Sequence, residues 1–325
     1  VATASPRSWR SAVPSATRRC TRATLILGLA ALLIGCGSGQ PVNPTFPVTS
    51  RDAREALEQL EAAPRPLDRP VLVLGGIFDP GLAARDVVTA LERTTSDDAI
   101  IIQVTFIDCL TFDACRARLF EVINYALADP DDPRSPIDRL EFDVVAFSMG
   151  GLVARYAAIP QHTDPRVLRI NRLFTIASPH RGAALADLPS LDQRVLDMQR
   201  GSAFIALLDR AWAAAPYDIY PYVRLGDAIV GTENASPPGV HPWWVPNPLF
   251  GFSHLAAGND PRIIGDICLR LRGEPAWSIT PAAPLPHEQR NLPPAVVTEL
   301  QLARADAVAA RGHEPVADIM PARPR

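Results

Sequence analysis

The chain has 325 residues, is 47% hydrophobic and carries a formal net charge of −3. That length and apolar content suffice for one large core, with tails in place of a second full domain. The slight acidity excludes the strongly basic face that a nucleic-acid binder needs to neutralise phosphates, so a neutral or apolar partner is expected.

Arg18, Arg19 and Arg22 precede an apolar run at residues 25–34, the layout of an export signal. The run is shorter than the roughly 20 apolar residues of a membrane span, so residues 1–35 read as a cleaved signal peptide. It ends Leu33-Ile34-Gly35-Cys36, which resembles the bacterial lipobox. Cys36 is therefore the expected lipidation site, and the protein is expected to be exported and anchored to the cell envelope through acyl chains. Residues 36–49, polar and proline-rich, read as a flexible tether.

Residues 50–63 have helical spacing, with Ser50 as N-cap and Ala53, Leu57 and Leu60 on one side. Residues 71–74 form a short continuous apolar run that ends in Gly75-Gly76, the mark of a buried strand meeting a turn. A helix at 85–93, a β-branched strand at 100–107 and a helix at 114–128 follow, the last with Leu119, Val122, Ile123, Ala126 and Leu127 on one face. Strand 143–147, helix 151–159 and strand 173–177 continue the alternation, which predicts a parallel sheet with helices on both faces. Residues 183–215 read as helical and 217–225 as a strand that ends at the turn carrying Asp227.

The stretch 231–252 differs: it is rich in proline, glycine and aromatic residues, including Trp243, Trp244, Phe250 and Phe252. It reads either as a lid or pocket loop or as a surface loop whose tryptophans pack inward. Helix returns at 263–271. Prolines multiply beyond Glu274, so the catalytic domain is expected to span 50–274, with 275–325 as a loose tail holding one weak helix at 295–310.

Cys109 and Cys115 lie close enough in sequence to close a small disulfide loop in an oxidising compartment. Cys268 sits on the apolar side of a predicted helix and reads as a buried thiol, while Cys20 leaves with the signal. Neither a cysteine and histidine cluster with metal spacing nor a phosphate-binding glycine loop with lysine is present in the sequence, so no metal and no cofactor are expected.

Strand 143–147 runs straight into Ser148-Met149-Gly150-Gly151, and a helix begins at once. A serine on so sharp a turn has its hydroxyl pushed out above the sheet, within reach of a base and a substrate. The usual spacing is G-x-S-x-G, and here Ala146 takes the first position. The wider stretch Val144-Val145-Ala146-Phe147-Ser148-Met149-Gly150-Gly151-Leu152-Val153-Ala154-Arg155-Tyr156 resembles the nucleophile region of bacterial triacylglycerol lipases and related esterases. Thr175-Ile176-Ala177-Ser178-Pro179-His180-Arg181-Gly182 resembles the strand and turn that follow in that family, and the likeness runs over about residues 70–273. The resemblance implies an α/β-hydrolase fold, with a mostly parallel central sheet, and a serine ester hydrolase.

A serine hydroxyl is a poor nucleophile at neutral pH, so a histidine must take its proton and a carboxylate must orient that histidine. The fold orders them serine, acid, histidine. His254 fits, because Gly251-Phe252-Ser253-His254-Leu255 precedes the last predicted helix as the family's histidine loop does. His241 is the alternative; His287 falls in the tail, and His180 reads as support for its own loop. For the acid, Gly226-Asp227-Ala228-Ile229-Val230 resembles the family's acid turn, with Asp218 as the alternative, and Asp260 reads as a helix N-terminal residue. Main-chain N–H groups of Met149 and of Ile77 or Phe78 are the expected oxyanion donors.

Lipids or other apolar esters are the expected substrates. A phospholipase, an acyltransferase or a deacylase would use the same triad, since fold and triad do not fix substrate. A hydrolase fold without activity, serving as a surface lipoprotein that binds a partner, is the alternative from another class.

Overall fold

The computed structural model describes residues 41–129, 132, 134–247 and 253–287. The signal peptide, Cys36, Phe250, Phe252 and the helix expected at 295–310 lie outside these residues.

The helices are α1 (Ser50–Ala62), α2 (Leu82–Thr94), α3 (Phe112–Leu127), α4 (Pro136–Arg139), α5 (Met149–Ala157), α6 (Gln193–Asp197), α7 (Ala203–Trp212), α8 (Ser253–Ala257) and α9 (Pro261–Leu271). The strands are β1 (Val71–Leu74), β2 (Ile101–Val104), β3 (Phe142–Phe147), β4 (Ile170–Ile176), β5 (Asp218–Arg224) and β6 (Trp243–Val245). Every residue of β1 and β3 is buried, as in strands covered on both faces. Their side chains alternate: Leu72, Leu74, Val144 and Ala146 enter one core, and Val71, Val73, Val145 and Phe147 the other. Residues of α3, α5 and α7 fill the first core; those of α1, α2 and α9 fill the second. No helix among the described residues is long and apolar enough to cross a membrane.

Among the described residues the sheet has six strands in the order β2-β1-β3-β4-β5-β6, and each neighbouring pair is parallel. This is the α/β-hydrolase fold expected from the sequence. The chain runs from β1 outward to β2 and returns on the other side of β1 as β3, so the strand order reverses between β1 and β3. Ligands of open α/β sheets bind beyond the strand ends at such a switch point, and the turns that leave β1 and β3 carry Gly76 and Ser148.

Several expectations are corrected. The helix cap is Thr49 rather than Ser50, its hydroxyl accepting from the Asp52 N–H at 3.2 Å. The tether expected up to residue 49 is too long, because Asn43 and Phe46 are buried and the Asn43 side chain donates to the Trp244 carbonyl at 2.7 Å. Residues 275–287 belong to the body: the Ser278 N–H donates to buried Asp266 at 2.8 Å, the Ile279 N–H to the Thr45 carbonyl at 2.8 Å, and Leu285 is buried. Proline suppresses helix and strand here, so these residues pack through side chains and single hydrogen bonds, which periodicity does not register.

Within 183–215 the structure has a 3-10 turn at Ala184–Asp187, then α6 and α7, instead of one helical run. Gly201, with φ +74, lies in the break between α6 and α7. In the 231–252 stretch Trp243 and Trp244 form strand β6, both buried, and their indole N–H groups donate to the carbonyls of Ile279 and Pro284. The tryptophans pack inward and do not line the cavity that holds Ser148.

The disulfide expected between Cys109 and Cys115 is not formed. Both are free, buried thiols in hydrogen-bond contact, and burial pushes each thiol pKa up. Disulfide exchange needs a thiolate, which this burial disfavours. Cys268 is a buried thiol in the second core, its pKa pushed up to about 11 by burial.

Candidate active site

Ser148 has φ 51, in the left-handed region. A serine pays for that conformation only where the surroundings over-determine it, and here they do. Its N–H donates to the Ile176 carbonyl of β4 at 2.9 Å, and its carbonyl accepts from the Gly151 N–H at 3.1 Å. Gly150 is required for the same turn: a Cβ there would lie 2.7 Å from the Gly75 carbonyl oxygen and 2.8 Å from that of Leu74. Ala146, at the first position of the G-x-S-x-G spacing, is fully buried beside Leu74 of β1 and Thr175 of β4. The extra methyl is absorbed by the core.

His254, on α8, reaches Ser148 Oγ from Nε2 at 3.0 Å and Asp227 Oδ2 from Nδ1 at 2.8 Å. A carboxylate only accepts, so Nδ1–H donates to Asp227 and Nε2 is left to accept the serine proton. Asp227 is fixed in turn, its Oδ1 accepting from the N–H groups of Ile229 and Val230, each at 3.0 Å. Ser253 ties the histidine to the end of β5 by donating to the Leu225 carbonyl at 2.9 Å. Ser148, Asp227 and His254 are all buried, at 6%, 3% and 6% exposure, so water competes little for these bonds.

Met149 is the first residue of α5, where main-chain N–H groups have no acceptor within the helix. Across from it, Gly76, Ile77 and Phe78 line a cavity of about 620 Å³ together with Ser148 and His254. A Cβ on Gly76 would lie 3.2 Å from Ser148 Cβ, so this turn passes directly over the serine. Phe78 also has a left-handed backbone, φ 55. The turn is clamped from below by Asp79, whose Oδ1 accepts from the N–H groups of Gly81, Leu82 and Ala83 at 2.9, 2.7 and 3.2 Å and so caps α2.

The far wall of the cavity is apolar and comes from Ala183, Leu185, Ala186, Val195 and Met198. These belong to the segment between β4 and β5, and none of the described residues of the 231–252 stretch joins them. Sequence reasoning missed this segment, Asp79 and Arg194. Asp79 had a signal, an Asp-Pro-Gly immediately before an amphipathic run; an arginine inside a helical-looking stretch has none.

The other candidates lie apart from the serine. Asp218 is exposed at the start of β5, and His287 is exposed. His241 precedes β6. His180 is fully buried between Thr175 Oγ1 at 3.0 Å and Arg155 at 3.2 Å, and burial, aided by the Arg155 charge, holds its pKa well below the usual imidazole value. Asp260 caps α9.

A family model described as a domain of unknown function, DUF7379, matches residues 130–215, which span β3 to α7. No curated protein matches the chain. Among solved structures, the chain is similar to the phospholipase PlaB from Legionella pneumophila at 14% identity and a TM-score of 0.42, covering 78% of this chain and 66% of that one. A second is the lin2722 gene product from Listeria innocua, at 12% identity and a TM-score of 0.40, with coverage of 62% and 92%. A third, described as a cell surface hydrolase from Lactobacillus plantarum WCFS1, has 15% identity and a TM-score of 0.36, with coverage of 74% and 99%.

Proposed function

We propose that the chain is a serine carboxylester hydrolase acting on apolar or lipid esters. The observation that carries this reading is the hydrogen-bonded line Ser148–His254–Asp227 at the edge of an apolar cavity. In the reaction, Ser148 Oγ attacks the ester carbonyl carbon while His254 Nε2 takes its proton. The negative oxygen that develops accepts from the Met149 N–H and from an N–H of the Ile77–Phe78 turn. Collapse breaks the carbon–oxygen bond, His254 returns the proton to the departing alcohol, and water removes the acyl group from Ser148 by the same steps.

Apolar substrates are favoured by the rim as well as the interior. Phe78, Leu82, Leu185 and Leu255 line the cavity yet are 61%, 65%, 51% and 58% exposed. Grouped large apolar side chains around one opening mark a surface for an apolar ligand or lipid phase. Export and lipidation at Cys36 would hold this rim near a bilayer; Cys36→Ser is expected to abolish acylation, and a variant that kept its acyl chains would sink that part of the reading.

The test is hydrolysis of p-nitrophenyl esters from acetate to palmitate, with Ser148→Ala alongside, and labelling by a fluorophosphonate. Turnover and labelling that vanish in Ser148→Ala are expected. A folded protein that hydrolyses no ester and resists the probe would refute the proposal.

A further inference from the structure

The segment that walls the cavity also touches the oxyanion turn. Arg194, on α6, has a side chain only 1% exposed. All three of its guanidinium nitrogens donate: Nε and Nη2 to the two carboxylate oxygens of Asp192 at 3.1 and 2.7 Å, and Nη1 to the Phe106 carbonyl at 3.2 Å. Held flat by these bonds, it lies with Cζ 5.0 Å from the centroid of the Phe78 ring. A cation over an aromatic face is attracted to it. Phe78 is the residue of the oxyanion turn with a left-handed backbone.

One buried cation therefore joins the turn after β1, the loop after β2 and the segment between β4 and β5. The neighbours of Arg194 on the same element matter as much. Val195 and, one turn on, Met198 line the cavity that holds Ser148. An acyl chain packed against Val195 and Met198 presses on the element that holds Arg194 against Phe78.

We propose that Arg194 is a positioning residue for the reaction: it fixes Phe78, and with it the main-chain donors of the turn, and transmits occupancy of the apolar wall to the oxyanion site. The inference rests on the esterase reading above. Misplacing catalytic groups by about 1 Å costs on the order of 100-fold in rate, so loss of this contact should appear in kcat and not in KM.

The experiment measures kcat and KM on p-nitrophenyl acetate and octanoate for wild type, Arg194→Met, Phe78→Leu and the double variant, with melting curves for each. Arg194→Met is expected to lower kcat on octanoate roughly tenfold to a hundredfold with KM unchanged, and to flatten the rise of kcat from acetate to octanoate. The double variant is expected to lose no more than the worse single one, because both remove one contact. Wild-type kcat in a folded Arg194→Met protein, or losses that multiply in the double variant, would overturn the proposal. Should Arg194→Met not fold, because Asp192 is left unpaired, Phe78→Leu carries the test alone: its ring is largely exposed, and an unchanged kcat overturns the proposal. A wild type silent on every ester would overturn the esterase reading and this one with it; active wild type with unaffected variants overturns only this one.

Discussion

Two of the regions that wall the cavity, the turns at the strand ends and the segment from residue 183 to 200, are held by different forces. The turns are fixed by main chain: left-handed residues at Ser148 and Phe78, carbonyl acceptors on neighbouring strands, and glycines that leave no room for a Cβ. The segment is two short pieces fastened by a few main-chain bonds, such as Leu185 N–H to the Ile229 carbonyl at 2.9 Å, and by arginine side chains. It also leaves Leu188 and Leu191 59% and 104% exposed. Under the proposed function, the chemistry would sit where the backbone admits no alternative, and substrate shape would be read where side chains can be exchanged. Rigid strand ends with variable connections are a common division of labour in enzymes.

Substitutions in the two regions should differ in kind. Ser148→Ala is expected to lower kcat by about 10⁴-fold or more, and Asp227→Asn by about 10⁴-fold through the wrong imidazole tautomer, both read by ester hydrolysis with unchanged melting curves. Activity retained in either would break the comparison at its strong end. Gly150→Ala should act on the fold as well, because the added methyl meets two main-chain oxygens; urea titration is expected to show about 1–3 kcal/mol of lost stability, together with reduced kcat.

Met198→Trp, in the segment, should leave turnover of acetate esters near wild type while KM for octanoate and longer esters rises. A fall in acetate turnover as large as that of Asp227→Asn would show that the two regions are not separable in this way. The smallest effect concerns His180, which anchors the segment's start. Its folded pKa is depressed, so the unfolded chain binds the extra proton first as pH falls below about 6.5. The stability that neutral His180 contributes is complete above that pH and declines below it, by at most about 1.4 kcal/mol per pH unit. Melting temperatures at pH 7.5 and 5.5 are expected to differ less in His180→Gln than in wild type.

How much was legible in the sequence follows the same division. The bounds of β1 and the motif around Ser148 could be read because buried parallel strands leave unbroken apolar runs and the turn needs small residues. Asp227 and His254 came from the likeness of their turns to a family, and the structure brings both to the serine. The cavity wall could not be read: residues 183–200 bury only part of each short piece, so no period emerges, and one of the contacts that fixes them, Arg194 to Phe106, spans 88 positions. The misjudged ends have a related cause. Asn43, Thr45, Ser278 and Ala283 are polar or small, and what fixes them is hydrogen bonding to one another and to the core, which composition reads as loop.

Those ends close over β6, the last strand of the sheet. An uncovered strand of this kind offers a row of unpaired peptide groups to other molecules, and proteins usually hide or charge it. Here the hiding is done by residues 43–48 and 275–287, which take up the Trp244 carbonyl and both indole N–H groups. A shortened chain that stopped at 274 would bare two tryptophans along an open β-edge. Self-association and poor solubility would follow even with Ser148, Asp227 and His254 untouched, so a shortened chain should keep residues 43–48 and 275–287.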